Sequence, residues 1–131
     1  MTFSGIVIHG SKHGRTIGYP TVNLEITDSI TSGLPAYGVY AVAAVVLGRE
    51  YAGALFWGKR TLFGDTEPVC EIMLIGFRGD AYGAEVAVAV ILNLRDAVPV
   101  KDSAELKRLI NEDVKNAQQA YDLSRSRSCG I

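Results

Sequence analysis

Three glycines, Gly10, Gly14 and Gly18, punctuate the segment between His9 and Asn23, and Arg15 sits among them. Glycine lets backbone N–H groups approach an anion closely and adopt the positive φ angles of an anion-binding nest. Arg15 adds a fixed positive charge. Beyond Pro20, Thr21 offers a hydroxyl and Asn23 a carbonyl oxygen, hard ligands of the kind Mg²⁺ takes. Two apart in an extended segment, their side chains point to one face. The chemistry on offer is phosphate and metal binding. It is not a Walker loop, because no Gly-Lys-Ser/Thr follows the glycines. A glycine-rich connecting loop with an ordinary Pro-Thr turn has the same composition, and the residues alone leave both readings open.

Glu71 is a second candidate, lying inside the apolar run Val69-Cys70-Glu71-Ile72-Met73-Leu74-Ile75. On a strand, Glu71 and Met73 share one face while Cys70 and Ile72 take the other. On an apolar face, desolvation raises the carboxylate pKa and suits it to general-base work; on the solvent face it is an ordinary glutamate. Arg95, at a strand exit, either holds a ligand or pairs locally with Asp96. His9 and His13 lie in a loop with no thiol or carboxylate close by, which is weak support for zinc.

These residues need a scaffold, and the chain supplies mostly strands. Phe3 to His9, Gly38 to Leu47, Tyr51 to Trp57, Val69 to Gly76 and Glu85 to Leu94 carry strand composition. Turns fall at Gly48-Arg49-Glu50 and between Arg78 and Gly83. Short spacing without interleaved helices predicts an antiparallel barrel or sandwich. Asp102-Ser103-Ala104-Glu105 reads as a capping signal, and Leu106, Leu109, Ile110, Val114 and Ala117 recur at helical spacing. The spacing predicts a helix from about Ser103 to Leu123, its apolar stripe against the barrel. The polar residues 124–131 read as a flexible tail.

The 131 residues fit one domain, here 1–123. A net charge of −1 gives no electrostatic case for nucleic acid or an anionic membrane. No run reaches the roughly 20 apolar residues a spanning helix needs. Cys70 in an apolar run and Cys129 near the end suggest a reducing compartment, with Cys70 a small core hydrophobe, and the default expectation is a cytoplasmic protein, taken as a monomer.

The order of these features resembles the riboflavin kinase (flavokinase) family from about Phe3 to Leu123. The matching elements are Gly5-Ile6-Val7-Ile8-His9-Gly10, then Gly14 to Asn23 against Gly-Arg-x-x-Gly-x-Pro-Thr-Ala-Asn with Val22 in the Ala place. Leu34-Pro35, Gly38-Val39-Tyr40, a strand with Glu71, Asp80-Ala81-Tyr82-Gly83, Leu94-Arg95 and a helix with Asp113 follow in order. The resemblance implies a six-stranded antiparallel Greek-key β-barrel with a C-terminal α-helix packed against it. It implies transfer of phosphate from ATP to riboflavin, giving FMN and ADP. It casts Glu71 as the base on the ribityl 5′-hydroxyl, and Thr21 and Asn23 as ligands of Mg²⁺ (or Zn²⁺) and of the ATP phosphates. Gly10, Gly14, Arg15 and Gly18 would contact ATP, and Arg95 the flavin.

Two segments depart from the family pattern, both on the side expected to hold flavin. Phe56 to Phe63 keeps Gly58, Arg60 and Phe63 but has Thr61-Leu62 for Pro-Thr, and Ala97 and Val100 replace an acidic residue and a Phe. They keep two alternatives in view: a non-catalytic flavin- or nucleotide-binding barrel, and a kinase for another small alcohol. Many bacterial relatives also carry an adenylyltransferase domain. At this length the chain is expected to be a stand-alone kinase or an excised domain.

Overall fold

The computed structural model describes residues 1–9, 20–34 and 36–129. Among them, six strands close an antiparallel barrel in the order β1-β2-β5-β4-β3-β6. These are β1 (Thr2–Ile8), β2 (Thr21–Leu24), β3 (Gly38–Val46), β4 (Arg49–Gly58), β5 (Val69–Leu74) and β6 (Glu85–Asp96). Strands β3, β4 and β5 form a meander, β6 returns to lie beside β3, and β2 lies beside β5, which is Greek-key topology. Among the described residues two α-helices accompany the barrel, α1 (Asp28–Gly33) and α2 (Ser103–Cys129).

Alternation explains the wall. In β1, Phe3, Gly5 and Val7 point inward and their neighbours outward. The interior is filled by Val22, Leu24, Val42, Leu55, Trp57, Cys70, Ile72, Leu74, Val86 and Val88. Cys70 is 1% exposed, and burial pushes its thiol up to about 12, as fits a core hydrophobe. Ile30 and Leu34 belong to the same core, and Ile30 lies on α1, which packs against β1. The sequence reading missed α1 because six residues are too few to display a 3.6-residue period.

Helix α2 covers part of the outer wall. Ala117 and Ala120 meet Ala41, Ala54 and Met73, with Ile91, Leu94, Ile110 and Val114 at the margin. Small residues on both surfaces bring the helix close to the strands. The helix does not end at Leu123 as expected; it runs to Cys129. Part of this extension, as far as Arg125, is tied to the β3–β4 hairpin. Glu50 accepts hydrogen bonds from the Tyr121 hydroxyl, at 2.7 Å, and from the Arg125 guanidinium, which also lies over the Tyr121 ring.

Packing inside the wall is tight at Gly53. A Cβ there would sit 2.8 Å from Ile72 Cγ2 and 3.2 Å from the Met73 carbonyl oxygen. Ile72 is fully buried and β-branched, so it yields poorly. Gly53→Ala is expected to cost about 1–3 kcal/mol, read as a lower denaturant midpoint at unchanged slope.

Candidate active site

The strand register lines the candidate residues up across the barrel's outer face. Asn23 pairs with Ile8 on one side and Glu71 on the other. Glu71 pairs with Phe56, Phe56 with Val39, and Val39 with Arg95. Directly paired residues present their side chains to the same face, with Cβ atoms about 5 Å apart. One row therefore carries an amide, a carboxylate, two apolar side chains and a guanidinium, in that order. Thr21 shares the face, two residues before Asn23 and opposite Met73. Glu71 and Arg95 are three strand spacings apart, about 14 Å along the wall.

A cleft opens over the middle of this row. Phe56, Val39 and Met73 line it from the wall, Arg60 to Phe63 from the connection after β4, and Val98 and Val100 from the β6–α2 connection. Leu106, Ile110 and Asp113 reach it from α2. The two connections meet, because the Val100 N–H donates to Thr61 Oγ1 at 3.1 Å. The positions that depart from the family pattern, Thr61, Leu62 and Val100, therefore wall the cleft together. Thr21 and Asn23 flank it, next to Glu71.

Glu71 is largely shielded, its side chain 14% exposed. Burial raises its pKa above the usual carboxylate range; the Arg60 guanidinium opposes that shift and Asp65 adds to it. Arg60 Nη1 donates to Glu71 Oε2 at 3.3 Å. Arg60 Nε donates to Asp65 Oδ2 at 2.8 Å, Nη2 to Oδ1 at 3.3 Å, and the Arg60 backbone N–H to Oδ2 at 2.9 Å. Sequence reasoning gave neither Arg60 nor Asp65 a role here. The signal was local: an Arg at a strand exit, a turn and a Gly-Asp returning to it.

Arg95 is fixed differently from the local alternative considered above. Its partner is Asp113 on α2, with Nε and Nη2 each donating at 2.8 Å to one carboxylate oxygen. Asp96 contributes only its carbonyl, which accepts from Nη1 at 3.1 Å. Asp113 is 3% exposed, so this bidentate pair closes the cleft end farthest from Glu71 with a nearly buried carboxylate.

His9 stacks on Tyr82, ring centroids 3.8 Å apart and planes within 10°. The pair joins the end of β1 to the Asp80–Gly83 turn, where Asp80 Oδ1 accepts from the Tyr82 N–H at 2.9 Å. Gly10, Gly14, Arg15, Gly18 and His13 lie outside the described residues. Among the described residues, no cluster of three or more His, Cys, Asp or Glu could hold a metal ion, and no helix is long and apolar enough to cross a membrane.

Comparison with known proteins matches the chain to one family. The family described as "Flavokinase: Riboflavin kinase" matches residues 1–121. The bifunctional riboflavin kinase/FMN adenylyltransferase of Bacillus subtilis is 36% identical over 116 residues, covering 86% of this chain and 36% of that protein. Its Haemophilus influenzae counterpart is 33% identical over 119 residues, covering 90% and 38%. The chain thus spans well under half the length of these relatives. Among solved structures, a Streptococcus pneumoniae chain described as a macrolide-efflux protein aligns with TM-score 0.75 and 31% identity, covering 89% of this chain and 38% of that one. Trypanosoma brucei riboflavin kinase aligns with TM-score 0.63 and 24% identity, covering 90% and 77%, which supports the shared fold. The chain belongs to the riboflavin kinase (flavokinase) family.

Proposed function

We propose that this domain transfers the γ-phosphoryl group of ATP to the ribityl 5′-hydroxyl of riboflavin, giving FMN and ADP. The observation that carries the proposal is the register row from Asn23 through Glu71 to Arg95, with an apolar cleft over its middle. A flat apolar ring system suits the stretch along Phe56 and Val39. An attached alcohol chain then reaches Glu71, which takes the hydroxyl proton. Desolvation strengthens Glu71 as a base, and the shielded site keeps competing water away.

The nucleotide belongs on the other side of Glu71. Gly10, Gly14, Arg15 and Gly18 are the proposed phosphate contacts, beside Thr21 and Asn23. The His9–Tyr82 stack offers an aromatic face at the start of that loop. The Thr21 hydroxyl and Asn23 amide form a sparse set of hard oxygen donors. That fits Mg²⁺, which keeps waters and substrate phosphates as its other ligands, better than Zn²⁺, which favours nitrogen and sulfur. Thr21 and Asn23 would hold the metal, which would supply positive charge to the ATP phosphates.

Incubation with ATP and riboflavin, with and without Mg²⁺, followed by chromatography, tests the reading. FMN and ADP in equal amounts, dependent on Mg²⁺, are the expected products. Tight flavin binding without turnover would replace the kinase by a binding barrel. Preference for another alcohol in a substrate panel would keep the reaction and change the substrate.

A further inference from the structure

Arg60 is held more elaborately than a counter-ion for Glu71 requires. Strand β4 ends at Gly58, and Thr61–Phe63 make a single 3₁₀ turn. Gly64 then takes a left-handed φ of 70°, which costs glycine little and turns the chain so that Asp65 comes back onto Arg60. Asp65 grips the backbone N–H, Nε and Nη2 of Arg60, and the Phe63 ring centroid lies 5.5 Å from the guanidinium carbon. A long, rotamer-rich side chain is thereby ordered before any substrate arrives. Its Nη1 edge reaches Glu71 at 3.3 Å, longer than the about 2.8 Å of a strong charge-assisted bond. Asp65 makes the one close contact, to Nε at 2.8 Å; its second, to Nη2, is 3.3 Å long, as is that of Glu71 to Nη1.

From this geometry, and resting on the kinase reading above, we infer that Arg60 is a further catalytic residue: braced by Asp65, it bears on the phosphoryl group as that group passes to the alcohol bound at Glu71. The alcohol oxygen on Glu71 must approach phosphorus to about 3–3.5 Å before reaction, which brings the phosphoryl oxygens into the neighbourhood of Nη1. In the step, the alcohol oxygen forms its bond to the γ-phosphorus. The bond from phosphorus to the β,γ-bridging oxygen breaks, its electron pair leaving on ADP, and the hydroxyl proton passes to Glu71. As Glu71 takes that proton it loses the charge that engaged Nη1. The guanidinium keeps its own charge and its attraction to the phosphoryl oxygens rises as transfer proceeds. An interaction that strengthens along the reaction accelerates it, whereas one present from the start does not. Asp65, which touches no reacting atom, is a positioning residue acting through Arg60.

The test compares wild type with Arg60→Gln, Arg60→Lys and Asp65→Asn at saturating Mg-ATP and riboflavin, with thermal melting as a check on folding. Arg60→Gln is expected to lower kcat about 100- to 1,000-fold, with KM for riboflavin within about threefold of wild type. The second readout is the affinity for Mg-ADP with aluminium fluoride and riboflavin, which mimics phosphoryl transfer. That affinity is expected to fall with kcat while affinity for Mg-ADP alone holds, a split that a merely structural role would not produce. Asp65→Asn is expected to lower kcat less, and to add nothing in the Arg60→Gln background. Should Arg60→Gln fail to fold, Arg60→Lys carries the test with an expected loss of at least about tenfold, since ammonium cannot copy the braced planar fork. A folded Arg60 variant with kcat within about threefold of wild type, or equal losses for Mg-ADP with and without fluoride, would overturn the assignment of Arg60 alone. Absence of FMN formation by wild type would overturn the kinase reading, and this inference with it.

Discussion

Glu71→Gln is expected to lower kcat for FMN formation by about 100- to 10,000-fold while leaving the barrel folded. The amide keeps the shape of the side chain and most of its packing, but cannot take a proton from the alcohol. Stability distinguishes loss of chemistry from loss of structure. Burial raises the Glu71 pKa in the folded chain, so the folded state holds the proton more tightly than the unfolded chain does. Such a carboxylate costs stability as pH rises from the ordinary Glu range through its raised value. Replacing it by a neutral amide removes that cost. At neutral pH, Glu71→Gln is therefore expected to melt no lower than wild type, with Asp65 still bonded to Arg60. The same shift fixes the direction of the pH profile. The base works only when ionised, so the acid limb of kcat should fall above the ordinary Glu range. Near-normal turnover by a folded Glu71→Gln enzyme would remove Glu71 from the mechanism.

How far the sequence carried depends on the range of each interaction. Alternation in Val69-Cys70-Glu71-Ile72-Met73 separates the faces correctly: Cys70 and Ile72 enter the core, Met73 meets α2, and Glu71 lines the cleft. That is a property of one strand with a period of two. The start of α2 was legible for the same reason, through its capping signal and 3.6-residue period. What lies between strands was not. Asn23 meets Glu71 only because β2 pairs with β5, across the whole intervening meander. No local pattern encodes that register. The family resemblance supplied both residues as site members, but the row that relates them to Phe56, Val39 and Arg95 came from the fold. The continuation of α2 past Leu123 was hidden similarly, since the Glu50 that meets Tyr121 and Arg125 lies on a distant hairpin.

Arg95→Met is expected to destabilise the domain by about 3 kcal/mol, because removing one partner of a buried pair strands the other. Asp113 is the stranded group, 3% exposed and bonded to Arg95 through both oxygens. For a chain of this size the loss corresponds to a fall in melting temperature of about 10 °C. The two partners are not equivalent. The Arg95 side chain is 25% exposed against 4% for Asp113, so Asp113→Asn, which leaves a guanidinium in contact with water, should cost less. The double variant Arg95→Met/Asp113→Asn should recover part of the loss, since no unpaired buried carboxylate remains. Equilibrium unfolding of the three variants closes this cycle. Equal costs for the two single changes, with simple addition in the double, would reduce the pair to two independent surface contacts. Flavin affinity adds a separate test, because the same guanidinium lines the cleft end farthest from Glu71. If it meets the ring system there, the double variant regains stability but not riboflavin binding. Holding a nearly buried charge on α2 solely to fix one arginine is costly for a small domain. A double variant that regains stability and still binds riboflavin as wild type does would restrict Arg95 to holding Asp113.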